Sequence, residues 1–149
     1  MIKGTCVMNL LSTFFKGSET CLGVFYPKRY IIVTFPSFES ARLAERALRA
    51  TGFLPNEVQA VSGGEMLHFF RELRMRTGLL GGLMTEFSRL IGTEASYFDR
   101  DVWEARHGAG FLAVHCSTER EADHIRGLLT PLHPSAMEWY RMGAVCSLV

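Results

Sequence analysis

The chain has 149 residues with a formal net charge of +1, 48% of them hydrophobic and 21% charged. That balance leaves no strong field to gather nucleic acid or an anionic membrane surface, and it is too apolar for a disordered chain. The length is that of one ordinary domain, which buries roughly 70% of the surface its unfolded chain exposes, so a single core is expected.

Residues 1–29 read as an N-terminal appendage, with a turn at Lys16-Gly17-Ser18 and one short strand over Cys21 to Tyr26. The apolar run Val7 to Phe15 is interrupted by Asn9, Ser12 and Thr13 and is followed by no small-residue cleavage site, which argues against a secretory signal. Tyr30 to Phe35 is β-branched and aromatic, hence a buried strand, and Ser37 offers a side-chain oxygen to the free amides of a helix running to about Thr51. Ala41, Ala44, Ala47 and Leu48 share one stripe of that helix, with charged residues around the rest. Gly52 ends it as a left-handed cap, and Val58 to Val61 forms the next strand.

Ser62 and Glu65 have capping-box spacing at the start of a helix reaching about Arg76, whose buried stripe is Met66, Phe69, Phe70 and Leu73. A second helical piece covers about Leu80 to Leu90. A third starts at Thr93, carries Ala95, Phe98, Val102 and Ala105 on one side, and ends at Gly108 and Gly110. Phe111 to Cys116 is then a strand, Glu119 to Leu129 a helix, and Ala136 to Met142 the last strand, after Pro131 and Pro134. No run reaches the roughly 18–20 apolar residues that a spanning helix needs; Gly78 to Gly92 is broken by Glu86 and Arg89.

The two strand-then-helix units imitate each other. Val33-Thr34-Phe35-Pro36-Ser37-Phe38-Glu39-Ser40-Ala41 corresponds to Val114-His115-Cys116-Ser117-Thr118-Glu119-Arg120-Glu121-Ala122, and Ala44, Ala47 and Leu48 match Ile125, Leu128 and Leu129. The expected fold is therefore α+β: a ferredoxin-like split βαβ sandwich with a pseudo-two-fold repeat, in which two to three extra helices are inserted between the halves. The halves are 30–61 and 110–145 of a single domain, 30–145, and the helical insert is 62–109. Right-handed crossovers put both outer helices on one sheet face. The insert then lies either beyond the sheet edge or over the opposite face.

At Tyr30 to Val61 the chain resembles the bacterial general stress protein (heat-induced stress protein) domain: Phe35 precedes Ser37-Phe38-Glu39-Ser40-Ala41, the helix ends Ala50-Thr51-Gly52-Phe53, and Val58-Gln59-Ala60-Val61 follows. Thr93-Glu94-Ala95-Ser96-Tyr97-Phe98, a helix, a glycine and Phe111-Leu112-Ala113-Val114 resemble its second half. The resemblance covers about four-fifths of the chain. It implies a ferredoxin-like core and a stress-associated role, and it brings no catalytic residues. The central segment departs from that pattern, its glycine-rich apolar stretch being cut to Gly78-Leu79-Leu80-Gly81-Gly82, which argues against a membrane role.

Candidate chemistry is sparse. Cys6, Cys21, Cys116 and Cys146 have no CxxC spacing, so reduced thiols in a cytoplasm are the plain reading. His115 and Cys116 are adjacent, but neighbours on a strand face opposite sides, so Cys116 reads as a core residue rather than a metal or redox thiol. Asp99 and Asp101 point roughly 200° apart on a helix and form no acid/base pair. Ser62-Gly63-Gly64 lacks the lysine of a P-loop and reads as a cap. His68, Arg71 and Arg74 share one helix face, either solvated or a cradle for an anion. Trp103, Trp139 and Tyr140 read first as internal packing. The candidate ligand contacts are thus His68, Arg71, Arg74, Trp103 and His115, with no catalytic residue, no metal and no cofactor. The function expected is a non-enzymatic interaction or small-ligand sensing module that self-associates as a homodimer. Its alternative is a small-molecule or cofactor-binding enzyme with a pocket between the sheet and the central helices, as in dimeric α+β barrels.

Overall fold

The computed structural model describes residues 19–21, 24–26, 29–68, 100, 103–141 and 144–149. It is an α+β structure. Strands β1 (Glu19–Cys21) and β2 (Val24–Tyr26) pair antiparallel with Cys21 opposite Val24, so the single strand expected over Cys21 to Tyr26 is instead divided between two paired strands. The main sheet has five antiparallel strands: β3 (Tyr30–Phe35), β4 (Val58–Ser62), β5 (Gly110–His115), β6 (Ala136–Arg141) and β7 (Ala144–Ser147). Their order is β4-β5-β3-β6-β7. β7 is an addition to the expected strands; only four residues long, it carries too little pattern to stand out.

Two helices follow the first strand of each half: α1 (Phe38–Ala50) and α2 (Glu119–Leu129). Each begins where a side chain replaces missing backbone partners. Ser37 Oγ accepts from the Ser40 amide at 3.2 Å, and Thr118 Oγ1 accepts from the Glu121 amide at 3.2 Å while the Glu121 carboxylate accepts from the Thr118 amide. Gly52, at φ +111, supplies the left-handed turn that ends α1. Ala41, Ala44 and Leu48 of α1 and Ala122, Ile125 and Leu129 of α2 are buried against Ile31, Val33, Phe35, Leu112, Val114, Met137 and Trp139. Both helices therefore cover one face of the sheet. Each large aliphatic in this layer removes enough apolar surface to stabilise by about 1.5–3 kcal/mol.

The alternate residues of the same strands form a second core. Tyr30, Ile32, Val61, Phe111, Ala113 and Tyr140 are buried with Met66, Ala105 and Ala109, which belong to the two ends of the insert. The insert opens with the expected capping box: the Ser62 amide donates to Glu65 Oε2 at 2.8 Å and the Glu65 amide to Ser62 Oγ at 3.2 Å. Residues 63–68 and 103–106 are helical. Of the two homes left open, the described ends of the insert thus occupy the opposite face. Among the described residues no helix is long and apolar enough to cross a membrane.

The two ends of the insert meet at Gly63. A Cβ there would fall inside contact distance of the Ala105 carbonyl oxygen and 2.9 Å from that of Ala109, whereas one at Gly64 would meet nothing within 4 Å. Gly63→Ala is expected to destabilise by about 1–3 kcal/mol through forced overpacking. Gly64→Ala, on the open side of the same helical turn, is expected to be neutral or to stabilise by up to about 1 kcal/mol. Urea unfolding of the two variants checks this, and equal effects would show that the backbones do not approach so closely.

Candidate functional site

The insert-covered face is the chemically unusual part of the molecule. Residues of β6 that alternate with Met137 and Trp139 point to it, and one of them is Glu138, only 1% exposed. Its Oε1 lies 2.8 Å from Nη1 of Arg100, which comes from the insert and is about one third exposed. Its Oε2 is buried and has no hydrogen-bond partner among the described residues. Thr34 of β3 lies on the same face, is fully buried, and its Oγ1 likewise has no partner among the described residues.

Register makes these two residues neighbours on the sheet. Glu138 pairs with Ile32 and Thr34 with Ala136, so Glu138 and Thr34 are diagonal neighbours across β6 and β3, at the roughly 7–8 Å spacing of such positions. On the far side of β3, Ile32 faces Ala113 and Thr34 faces Phe111. The result is an apolar floor of Ile32, Ala113 and Phe111 with two unsatisfied oxygens set into it. An unsatisfied buried polar atom costs about 1–3 kcal/mol, so two on one face mark a place where the sheet is not optimised for stability alone.

A row of rings borders this patch. Tyr140, Tyr30 and His115 are successive cross-strand neighbours, and the rings of Tyr30 and His115 meet edge to face with centroids 5.3 Å apart. Burial pushes the Tyr30 hydroxyl above its usual pKa. Of the residues singled out from sequence, His115 is therefore on the insert-covered face, half-buried at its rim. His68 is half-buried beside Leu67, which packs against the same core. Trp103 stands apart at 56% exposed, stacked on His107 with ring centroids 4.0 Å apart and with its carbonyl oxygen 2.6 Å from His107 Nδ1. Arg71 and Arg74 lie outside the described residues. Trp139 packs in the opposite core and donates from Nε1 to the Cys116 carbonyl at 3.2 Å, under the Arg141 guanidinium 4.7 Å from its ring centre.

Sequence reasoning did not select Glu138, Arg100 or Thr34. The available signals were a carboxylate inside the apolar run Met137 to Tyr140 and a hydroxyl inside Ile31 to Phe35. Cys116 is a core residue, as alternation demands: burial, and then the nearby Glu121 carboxylate, push its thiol up to about 12. Cys116 and Cys146 are both free, and among the described residues no group of three or more His, Cys, Asp or Glu could hold a metal ion.

Two outcomes follow. The Cys116 thiol holds its proton to about pH 12 in the folded state, against 9.0 for the unpaired group, so unfolding releases a proton between those values and stability falls as pH rises through them. Native Cys116 is accordingly expected to resist iodoacetamide at pH 8 and to react once urea unfolds the chain, as read by peptide mass mapping. Arg100→Met removes the charge opposite a buried carboxylate and is expected to destabilise by roughly 3 kcal/mol, the low end for a broken buried pair because Arg100 is partly solvated. A urea midpoint unchanged from the parent would show that the pair holds nothing. No protein-family model, curated protein or solved structure matches the chain, so the geometry of its own face carries the functional reading.

Proposed function

We propose that the chain is a non-enzymatic small-ligand sensing module built on a ferredoxin-like split βαβ plait, receiving its ligand between the sheet and the inserted central segment. The strand order supports the plait. β3 and β5, the first strands of the two halves, lie side by side at the centre, and β4 and β6, the second strands, flank them. The repeat is supported by equivalent positions doing equivalent work: Ser37 and Thr118 cap, while Ala41 and Ala122, Ala44 and Ile125, and Leu48 and Leu129 are buried in one layer.

The observation that carries the ligand reading is the pair of unsatisfied oxygens of Glu138 and Thr34 on a face that is otherwise mostly hydrocarbon. Packing alone would favour an apolar pair at these positions. The rival reading, an enzyme acting from the same face, is supported by the same carboxylate and differs in requiring turnover. The stress-associated role rests on the resemblance of residues 30–145. Homodimerisation rests on the outer edge of β7, which has a strand partner on one side only among the described residues.

Native mass spectrometry of the protein purified without denaturation tests the proposal. The expected result is a dimer mass carrying one small organic adduct per chain, released intact on activation. A bare chain mass in every preparation removes the ligand reading, a monomer at micromolar concentration removes the dimer, and an adduct converted to a new mass on incubation replaces sensing by catalysis.

A further inference from the structure

Resting on the self-association proposed above, we infer that a second copy of the chain docks along the outer edge of β7, strand against strand and antiparallel, in the register that sets Cys146 opposite Cys146 of the partner subunit. The two edges of the sheet differ, and their hydrogen bonds show how. The His115 amide donates to the Glu57 carbonyl at 2.8 Å, so Gln59 and Val61 turn their backbone groups towards β5, while Val58, Ala60 and Ser62 turn theirs outward. Side chains already occupy that outer row. Arg49 Nη2 reaches the Val58 carbonyl at 3.5 Å, Gln59 Nε2 donates to the Ala60 carbonyl at 3.2 Å, and the Ser62 amide donates to Glu65 Oε2 at 2.8 Å. The β4 edge is thereby blunted against further pairing.

The β7 edge is open. The Leu148 amide donates to the Met137 carbonyl at 2.8 Å, so Ala144 and Cys146 face β6, and the N–H and C=O groups of Val145 and Ser147 point away from the sheet. Among the described residues no hydrogen bond reaches those outward groups, and Ser147 is exposed, with its hydroxyl turned to the Val149 carbonyl at 2.9 Å. A second copy suits this edge because Ala144-Val145-Cys146-Ser147-Leu148-Val149 carries no charged side chain, so the strand meets itself without like-charge repulsion. Two-fold pairing sets Val145 on Val145, Ser147 on Ser147, or Val145 on Ser147 of the partner subunit. Within Ala144–Ser147 only the last engages every outward group. Cys146 then lies at the symmetry axis in a non-hydrogen-bonded pair, with Cα atoms about 4.5 Å apart. That separation is inside the range a disulfide spans. Cys146 is free and half-buried, on the same sheet face as its cross-strand neighbour Trp139.

Oxidation of the native full-length protein with diamide, followed by peptide mass mapping, tests the register. Diamide takes up the two thiol hydrogens as the S–S bond forms, and a bond between two copies of the same cysteine is necessarily between chains. The expected product is a covalent dimer linked through Cys146 of each copy, with Cys116 unmodified in the core. Sedimentation equilibrium of Ser147→Pro supplies the second measurement. Proline there removes an outward amide and leaves the bonds to β6 intact, which edge strands tolerate. The dimer dissociation constant is expected to rise about thirtyfold, the effect of losing one donor from each copy, with the far-UV circular dichroism of the parent. Should the variant lose that signature, the linkage in the parent protein still decides.

A parent protein that is monomeric at micromolar concentration removes self-association and this interface together. A dimer that forms no Cys146 linkage, or whose folded Ser147→Pro variant dissociates no more readily, leaves self-association standing and overturns the β7 interface. Linkage of Cys146 to Cys21 of the partner subunit puts the β1–β2 strands on the edge in place of β7 and also overturns it, as does a native mass of one chain bound to a different polypeptide.

Discussion

The structure depends on a sheet whose central strand is sealed on both sides. All six residues of β3 are buried, alternating between the layer under α1 and α2 and the layer under the ends of the insert. Every polar side chain on these strands must then find a partner inside the protein or go without one. On the helix-covered face the requirement is met by excluding polar groups almost entirely. On the insert-covered face it is not met, and Glu138 and Thr34 are the result.

The contrast between faces also separates what is legible in a sequence from what is not. Tyr30 to Phe35 and Glu119 to Leu129 coincide with the expected strand and helix; a β-branched run has no helical stripe, and in the structure Thr118 and Glu121 cap the start of the helix. The capped start at Ser62 is legible for the same reason. Short-range signals settle these elements, and the tertiary fold does not override them.

Glu138 shows where that logic fails. Glu138 is the one charged residue within Ala136-Met137-Glu138-Trp139-Tyr140, and a lone carboxylate is ordinarily placed in water. The described ends of the insert pack on its face of the sheet, and Glu138 there is buried. Its partner, Arg100, lies in a distant part of the chain, and no local spacing connects the two. Trp103 departs from its first reading as internal packing: the side chain is 56% exposed and stacks on His107, four residues along its own helical turn.

A fold that relied on burial alone would replace Glu138 with an aliphatic residue and release Arg100 to solvent, since a buried pair seldom outperforms hydrocarbon of similar volume. The pair instead ties the insert to β6 through one contact that crosses the layer. Arg100 keeps about one third of its side chain in solvent while Glu138 is sealed, so the carboxylate carries most of the desolvation and the guanidinium little of it. Gly63 makes a second attachment of a different kind, because there the backbone of one end of the insert approaches the carbonyls of Ala105 and Ala109 at the other with no side chain between them. An ion pair and a close backbone approach thus hold the described ends of the insert, the first to β6 and the second to each other.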